Sequence, residues 1–195
     1  GQFSVYNALA AISCARLLGV SLADAAAALE TAHGAKGRVE PVPTDGDYSI
    51  FIDYAVTPDA IENVLTTLRG IAPKRLVMLF GAGGDRDRKK RPIMGKLSAD
   101  IADFVIVTSD NPRTEDPMSI IEEILPGVRA GKAPYKVICD RPEAIRWAID
   151  HHEPGDVILL CGKGHEDYQI IGHEKIHMDE REIVADYLAE RAKRT

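Results

Sequence analysis

The chain has 195 residues, 45% of them hydrophobic and 28% charged, with a formal net charge of -6. That is enough for one well-cored domain and a smaller appendage, and the acidity excludes the net positive face that duplex nucleic acid or an anionic membrane demands. No run approaches the ~18 consecutive apolar residues that span a bilayer, no basic segment leads an apolar one at the start, and Cys14, Cys139 and Cys161 form no C-x-x-C pair, so a reduced cytoplasmic protein without disulfides or zinc is expected.

Along the chain, Val5 to Leu18 carry apolar residues at helical spacing, Gly19 stops them, and a second, alanine-rich helix is predicted from Leu22 to Thr31 with Ser21 as N-cap. The two read as a helical hairpin. Ala32-His33-Gly34-Ala35-Lys36-Gly37 loses all periodicity, which divides the chain into residues 1–36 and 37–195. Because Gly1-Gln2-Phe3-Ser4 runs straight into a helical pattern without a Met, the chain is expected to be a piece of a longer protein.

Beyond Arg38 short β-branched runs alternate with amphipathic stretches. Strands are predicted at Val39–Val42, Tyr48–Asp53, Arg75–Phe80, Phe104–Ser109, Lys136–Cys139 and Val157–Cys161. Helices are predicted at Pro58–Leu68, Pro92–Ala102, Met118–Val128, Pro142–His151 and from Asp179 to about Lys193. Continuous apolar strands separated by helices of this length imply an α/β fold: a doubly wound, mostly parallel sheet flanked by helices. Cys139 and Cys161 close apolar runs and read as core.

In such sheets ligands gather at the carboxyl ends of the strands, and four strands here end in polar clusters. These are Asp53-Tyr54 leading to Thr57-Pro58-Asp59, Gly81-Ala82-Gly83-Gly84-Asp85-Arg86-Asp87-Arg88, Asp110-Asn111-Pro112-Arg113, and Gly162-Lys163-Gly164-His165-Glu166. The glycine loop has neither the G-x-G-x-x-G spacing of a dinucleotide site nor a P-loop Lys-Ser/Thr. Arg86, Arg88, Lys89, Lys90 and Arg91 have a solvated basic surface as their plain reading, the expected one for Lys89 and Lys90. Arg86 and Arg113, on adjacent loops, present rigid forks suited to carboxylates, and Glu166 suits an ammonium. A site of both signs fits a zwitterionic amino acid. For Asp53 two readings are open, a nucleotide contact and a cap or ion pair. Asp110 and Pro112 equally suit a turn. His33, His151, His152, His173 and His177 show no ligand spacing, so surface histidines and no metal site are expected.

Taken together, Phe3-x-x-x-Asn7-Ala8-Leu9-Ala10-Ala11, Gly37-Arg38, Asp53-Tyr54-Ala55-x-Thr57-Pro58-Asp59-Ala60, Gly83-Gly84-Asp85-Arg86-Asp87, Lys90-Arg91-Pro92-x-Met94-Gly95, Asp110-Asn111-Pro112-Arg113 and Gly162-Lys163-Gly164-His165-Glu166 follow one another in a known order and spacing. In them the chain resembles the Mur ligases, in particular the UDP-N-acetylmuramoyl-tripeptide synthetase (MurE) branch, over essentially its whole length. The resemblance implies the C-terminal part of a cytoplasmic ATP- and Mg2+-dependent ligase of peptidoglycan synthesis. Such a ligase adds a diamino acid to UDP-MurNAc-L-Ala-D-Glu through an acyl phosphate. It implies meso-diaminopimelate as the amino acid, because the Asp-Asn-Pro-Arg form goes with it in the family, and further domains of the same enzyme as partners, with no nucleic acid and no membrane. Carried over by position, Arg86, Asp110, Asn111, Arg113, Gly162 and Glu166 match the amino-acid pocket, and Asn7, Arg38 and Asp53 match nucleotide contacts. The hairpin would end the central ATPase domain.

Two departures stand out. Val56 occupies the place of the family histidine in Asp-Tyr-Ala-His-Thr-Pro, and no G-x-x-x-x-G-K-S/T occurs, so the chain alone is expected not to turn over ATP. A related ligase for L-lysine or of the folylpolyglutamate type, a stand-alone amino-acid-binding module and a nucleotide-binding regulatory domain are the competing readings.

Overall fold

The computed structural model describes residues 2–32, 34–72 and 74–194; His33 and the side chain of Phe3 lie outside the described residues. The chain divides into two compact units, Gly1–Ala35 and Lys36–Thr195.

The first unit holds α1 (Gln2–Leu17) and α2 (Leu22–Glu30). Ser21 starts α2, its Oγ accepting from the Asp24 amide at 3.0 Å, which satisfies one of the orphan donors of the first turn. Tyr6, Leu9, Leu17 and Leu18 are exposed.

The second unit is built on a six-stranded sheet ordered β1-β2-β6-β3-β4-β5. Its strands are β1 (Glu40–Val42), β2 (Ser49–Asp53), β3 (Leu76–Phe80), β4 (Phe104–Val107), β5 (Tyr135–Val137) and β6 (Val157–Cys161). Every pairing is parallel except that of β1 with β2. Because side chains alternate across a strand, Leu76, Met78, Phe80, Leu159 and Cys161 pack into one apolar cluster, while Val77, Leu79, Ile158 and Leu160 pack into the other. On the first face lie α3 (Pro58–Arg69), α4 (Lys90–Ile101) and α5 (Pro117–Ala130); α6 (Arg141–Asp150) and α7 (Glu180–Arg194) cover the second. β3 and β6 are buried along their whole length, as strands covered on both sides must be.

Three helices of this unit begin where the sequence places an acceptor followed by proline. Thr57, Asp116 and Asp140 each accept an amide of the first turn, with Pro58, Pro117 and Pro142 directly inside. From β3 the chain winds outward through β4 to β5, then returns to lay β6 between β2 and β3. That reversal makes β2, β6 and β3 the switch point, where their carboxyl ends leave a crevice.

Most element bounds shift from expectation by one to three residues. β4 stops at Val107 rather than Ser109, α4 starts at Lys90 rather than Pro92, and β5 lies at Tyr135–Val137 rather than Lys136–Cys139. An antiparallel ribbon of β7 (Tyr168–Ile171) and β8 (Glu174–His177) also stands outside the main sheet. Its residues are half-buried or exposed, so no apolar run announces it.

Candidate functional site

The polar clusters after β2, β3, β4 and β6 meet at one edge of the sheet. Gly84 lets the loops after β3 and β4 touch: its amide donates to the Asn111 carbonyl at 2.9 Å. A Cβ on it would lie 1.8 Å from the Pro112 oxygen, so no larger residue fits. The Arg113 guanidinium lies across this contact, Nη1 donating to the Gly84 carbonyl at 2.8 Å. Gly83 sits between the two arginines, since a Cβ there would meet Arg113 Nη1 at 2.9 Å and Arg86 Cγ at 3.7 Å. Among the described residues neither arginine is paired with a carboxylate: Arg113 donates only to carbonyls, and exposed Arg86 bonds the Asp85 carbonyl at 3.2 Å.

Asn111 carries the cluster to the β6 loop. Its Nδ2 donates to Glu166 Oε2 at 2.9 Å, and fully buried Lys163 donates to Asn111 Oδ1 and Glu166 Oε2, each at 2.8 Å. Burial alone would raise the Glu166 carboxyl, but the bonds from Lys163 and Asn111 outweigh it and hold the group below its ordinary value. Glu166 is therefore ionised at neutral pH. Asp110 is buried, with Oδ1 on the Asn111 amide at 2.6 Å and Oδ2 left without a partner. Gly162, at φ +115°, would drive a Cβ to 2.7 Å from that Oδ2. Of the residues expected to form the amino-acid pocket, Asp110, Asn111, Arg113 and Glu166 are joined by hydrogen bonds, Gly162 lies against Asp110, and exposed Arg86 stands on the other side of Gly83 from Arg113. Two guanidiniums without carboxylate partners at one end and an ionised carboxylate at the other suit a ligand bearing carboxylates and an ammonium.

The residues expected to contact nucleotide are more scattered. Asp53 is buried at the end of β2; burial pushes its carboxyl above the ordinary value, against the Val39 amide at 2.8 Å and the charge of Arg38. Arg38 is exposed, its guanidinium 5.2 Å from the centre of the Tyr54 ring, and Tyr54 in turn lies 5.0 Å from the His165 ring. Asn7 is exposed on α1 in the other unit. Beside Val56, Lys90 Nζ donates to the Val56 carbonyl at 2.9 Å.

The expected basic surface needs correction. Arg91 is fully buried, bound to Glu115 at 2.7 Å and Glu123 at 2.8 Å, so it staples α4 to α5. Lys90 is half-buried, and Arg88 pairs with Glu123. Three contributors escaped the motifs. Fully buried Arg141 donates to the Ser109 carbonyl at 3.1 Å and the Cys161 carbonyl at 2.8 Å, tying together the roots of both loops, while Glu180 neutralises it at 2.8 Å. The Tyr168 ring lies 5.3 Å from Lys163 Nζ, and Gln169 reaches Ser109 and Asp110. Arg141 stands in Asp140-Arg141-Pro142, whose only sequence signal is a helix cap.

Residues 37–164 match the model of the Mur ligase, glutamate ligase domain. A UDP-N-acetylmuramoyl-L-alanyl-D-glutamate--2,6-diaminopimelate ligase of Caldanaerobacter subterraneus is 53% identical over 193 residues, covering 99% of this chain and 40% of the relative. One of a Nostoc species is 51% identical, covering 99% of this chain and 39% of its own length. A solved structure of a ligase of the same name superposes with a TM-score of 0.77 at 38% identity, over 98% of this chain and 39% of the other. The chain thus spans about two fifths of the length of the curated relatives it matches.

Proposed function

The chain belongs to the Mur ligase family through its glutamate ligase domain, and on that premise we propose that it is the amino-acid-binding end of a ligase adding meso-diaminopimelate to UDP-MurNAc-L-Ala-D-Glu. Residues 37–195 are the C-terminal domain, and residues 1–36 close the central ATPase domain. Arg113 grips the distal carboxylate, which L-lysine lacks; Arg86 takes the other carboxylate, and Glu166 holds an ammonium. Asp110 and Asn111 shape the floor, and Gly162 keeps it open. The one observation that carries this reading is the hydrogen-bonded run from Arg113 through Asn111 to Glu166, with Arg86 across Gly83 from Arg113, in which neither arginine has a carboxylate of its own among the described residues.

ATP, when bound, supplies the leaving group that turns the D-glutamate carboxylate into an acylating agent. This chain has no G-x-x-x-x-G-K-S/T sequence, and among the described residues no group of three or more His, Cys, Asp or Glu is arranged to hold a metal ion. The ATP phosphates and Mg2+ are assigned to the rest of the ligase, and Asn7, Arg38 and Asp53 are each assigned a nucleotide contact by their match to the family's positions. What the chain contributes is position. It holds the diamino acid by its charged groups so that the free amine is delivered in line to the activated carbonyl, a gain in effective concentration rather than bond chemistry. The setting is the cytoplasm, and no described helix is long and apolar enough to cross a membrane.

Arg113→Ala in the full-length ligase tests the assignment. A charge-assisted bond contributes about 1.5–3 kcal/mol, so kcat/KM for meso-diaminopimelate should fall about 10- to 100-fold. The value for L-lysine should hold or rise, because the half-buried fork that lysine leaves without a carboxylate is gone. An unchanged ratio between the two amino acids removes the specificity claim.

A further inference from the structure

The β7–β8 ribbon stands outside the main sheet, yet its turn and first strand fasten the loop from Ser109 to Arg113. Five hydrogen bonds run between them: Gln169 Nε2 to the Asp110 carbonyl at 2.6 Å and to Ser109 Oγ at 3.1 Å, the Ile170 amide to Asn111 Oδ1 at 2.9 Å, the Arg113 amide to the Ile170 carbonyl at 3.0 Å, and the Gly172 amide to the Arg113 carbonyl at 2.6 Å. Arg113 and Ile171 form a parallel bridge. Arg113 itself is left-handed, with φ +51°, a conformation that a non-glycine residue keeps only where its surroundings impose it. The ribbon imposes it by bonding the residue on both its amide and its carbonyl.

Three of these bonds use ribbon backbone and would form with many residues at those positions. The other two depend on one side chain, Gln169, which is half-buried and donates both. Its acceptors directly precede Asn111, whose amide is thereby held with Nδ2 toward Glu166 and Oδ1 toward Lys163 and the Ile170 amide.

We propose that the β7–β8 ribbon sets the amino-acid specificity of the pocket, with Gln169 as its positioning residue acting through Asp110 and Asn111 on Arg113. This rests on the amino-acid-binding reading above. Gln169 touches no substrate. It fixes the loop in the one conformation that aims the Arg113 fork at a distal carboxylate, and loosening the loop weakens the grip on that carboxylate before anything else.

The test is Gln169→Leu in the full-length ligase, with steady-state kinetics for meso-diaminopimelate, L-lysine and ATP, and a melting temperature. Loss of two donors to the loop should raise KM for meso-diaminopimelate about tenfold. Preference over L-lysine should shrink, while kcat and KM for ATP stay within about twofold, as expected for a purely positional effect. An unchanged KM for meso-diaminopimelate, or a rise matched by that for ATP, overturns the proposal and leaves the amino-acid reading standing. A parent enzyme that does not discriminate meso-diaminopimelate from L-lysine overturns both. Should Gln169→Leu not fold, Gln169→Glu, which keeps the size and removes the donors, is measured in the same way and decides by the same criteria.

Discussion

Lys163 is fully buried, and a buried ammonium is tolerated only when paired and hydrogen-bonded. Its partners are Glu166 and Asn111, with the Tyr168 ring 5.3 Å away. The same arrangement stabilises Glu166 as a carboxylate, which gives a stability prediction. A carboxyl held below its ordinary value in the folded chain contributes stability that is fully present above the unfolded value, about 4.5, and is lost as pH falls through the lower folded value. Glu166→Gln should therefore melt below the parent at neutral pH, and the gap should close as melting temperatures are followed downward from about pH 4.5. A gap of constant size at every pH would show that Lys163 does not act through the charge of Glu166. Arg113 illustrates what a sequence can and cannot disclose at this scale. Its guanidinium chemistry follows from the residue type and from its place after a strand; its left-handed backbone does not, because that is imposed by a ribbon more than fifty positions along the chain. Arg91 was open to a surface reading for a related reason, since its charge is cancelled by Glu115 and Glu123, 24 and 32 positions away.

At the level of elements, the apolar strands were legible wherever both faces are covered. β6 lies at Val157–Cys161, the bounds its apolar run predicts, because every side chain in it is buried and turn residues flank it. The ribbon was not legible, because Glu174–His177 is exposed throughout and β7 is pinned by a loop rather than by a core. α4 and α5 were legible as helices, but their closeness was not. They approach backbone to backbone at Gly127, where a Cβ would lie 1.8 Å from the Pro92 carbonyl, and at Gly95, where one would lie 2.6 Å from the Ile124 carbonyl. Gly127→Ala forces the helices apart. Overpacking of this kind costs about 1–3 kcal/mol, so the urea midpoint should fall accordingly. Since α4 follows the Arg86 loop and α5 the Arg113 loop, that variant should also weaken amino-acid binding; an unchanged midpoint would mean that the two helices do not pack as closely as described.

For the whole molecule, the parallel sheet with its switch point places the ends of β2, β3, β4 and β6 together, and that topology gathers loops drawn from residues 53 to 166 into one site. The alternation of strands and helices was enough to expect this, whereas the antiparallel β1 at the sheet edge was not distinguishable from the parallel strands. The chain spans about two fifths of the length of its curated relatives, and its proposed role is the selection and presentation of an amino acid. The most direct test is a crystal structure of the full-length ligase with meso-diaminopimelate bound. In that structure one carboxylate should lie within about 3 Å of the Arg113 guanidinium, the other on Arg86, and an ammonium on Glu166. A ligand whose carboxylates sit elsewhere, with the Arg113 guanidinium still bonded only to the Gly84 and Asn111 carbonyls as it is here, would contradict the proposed role.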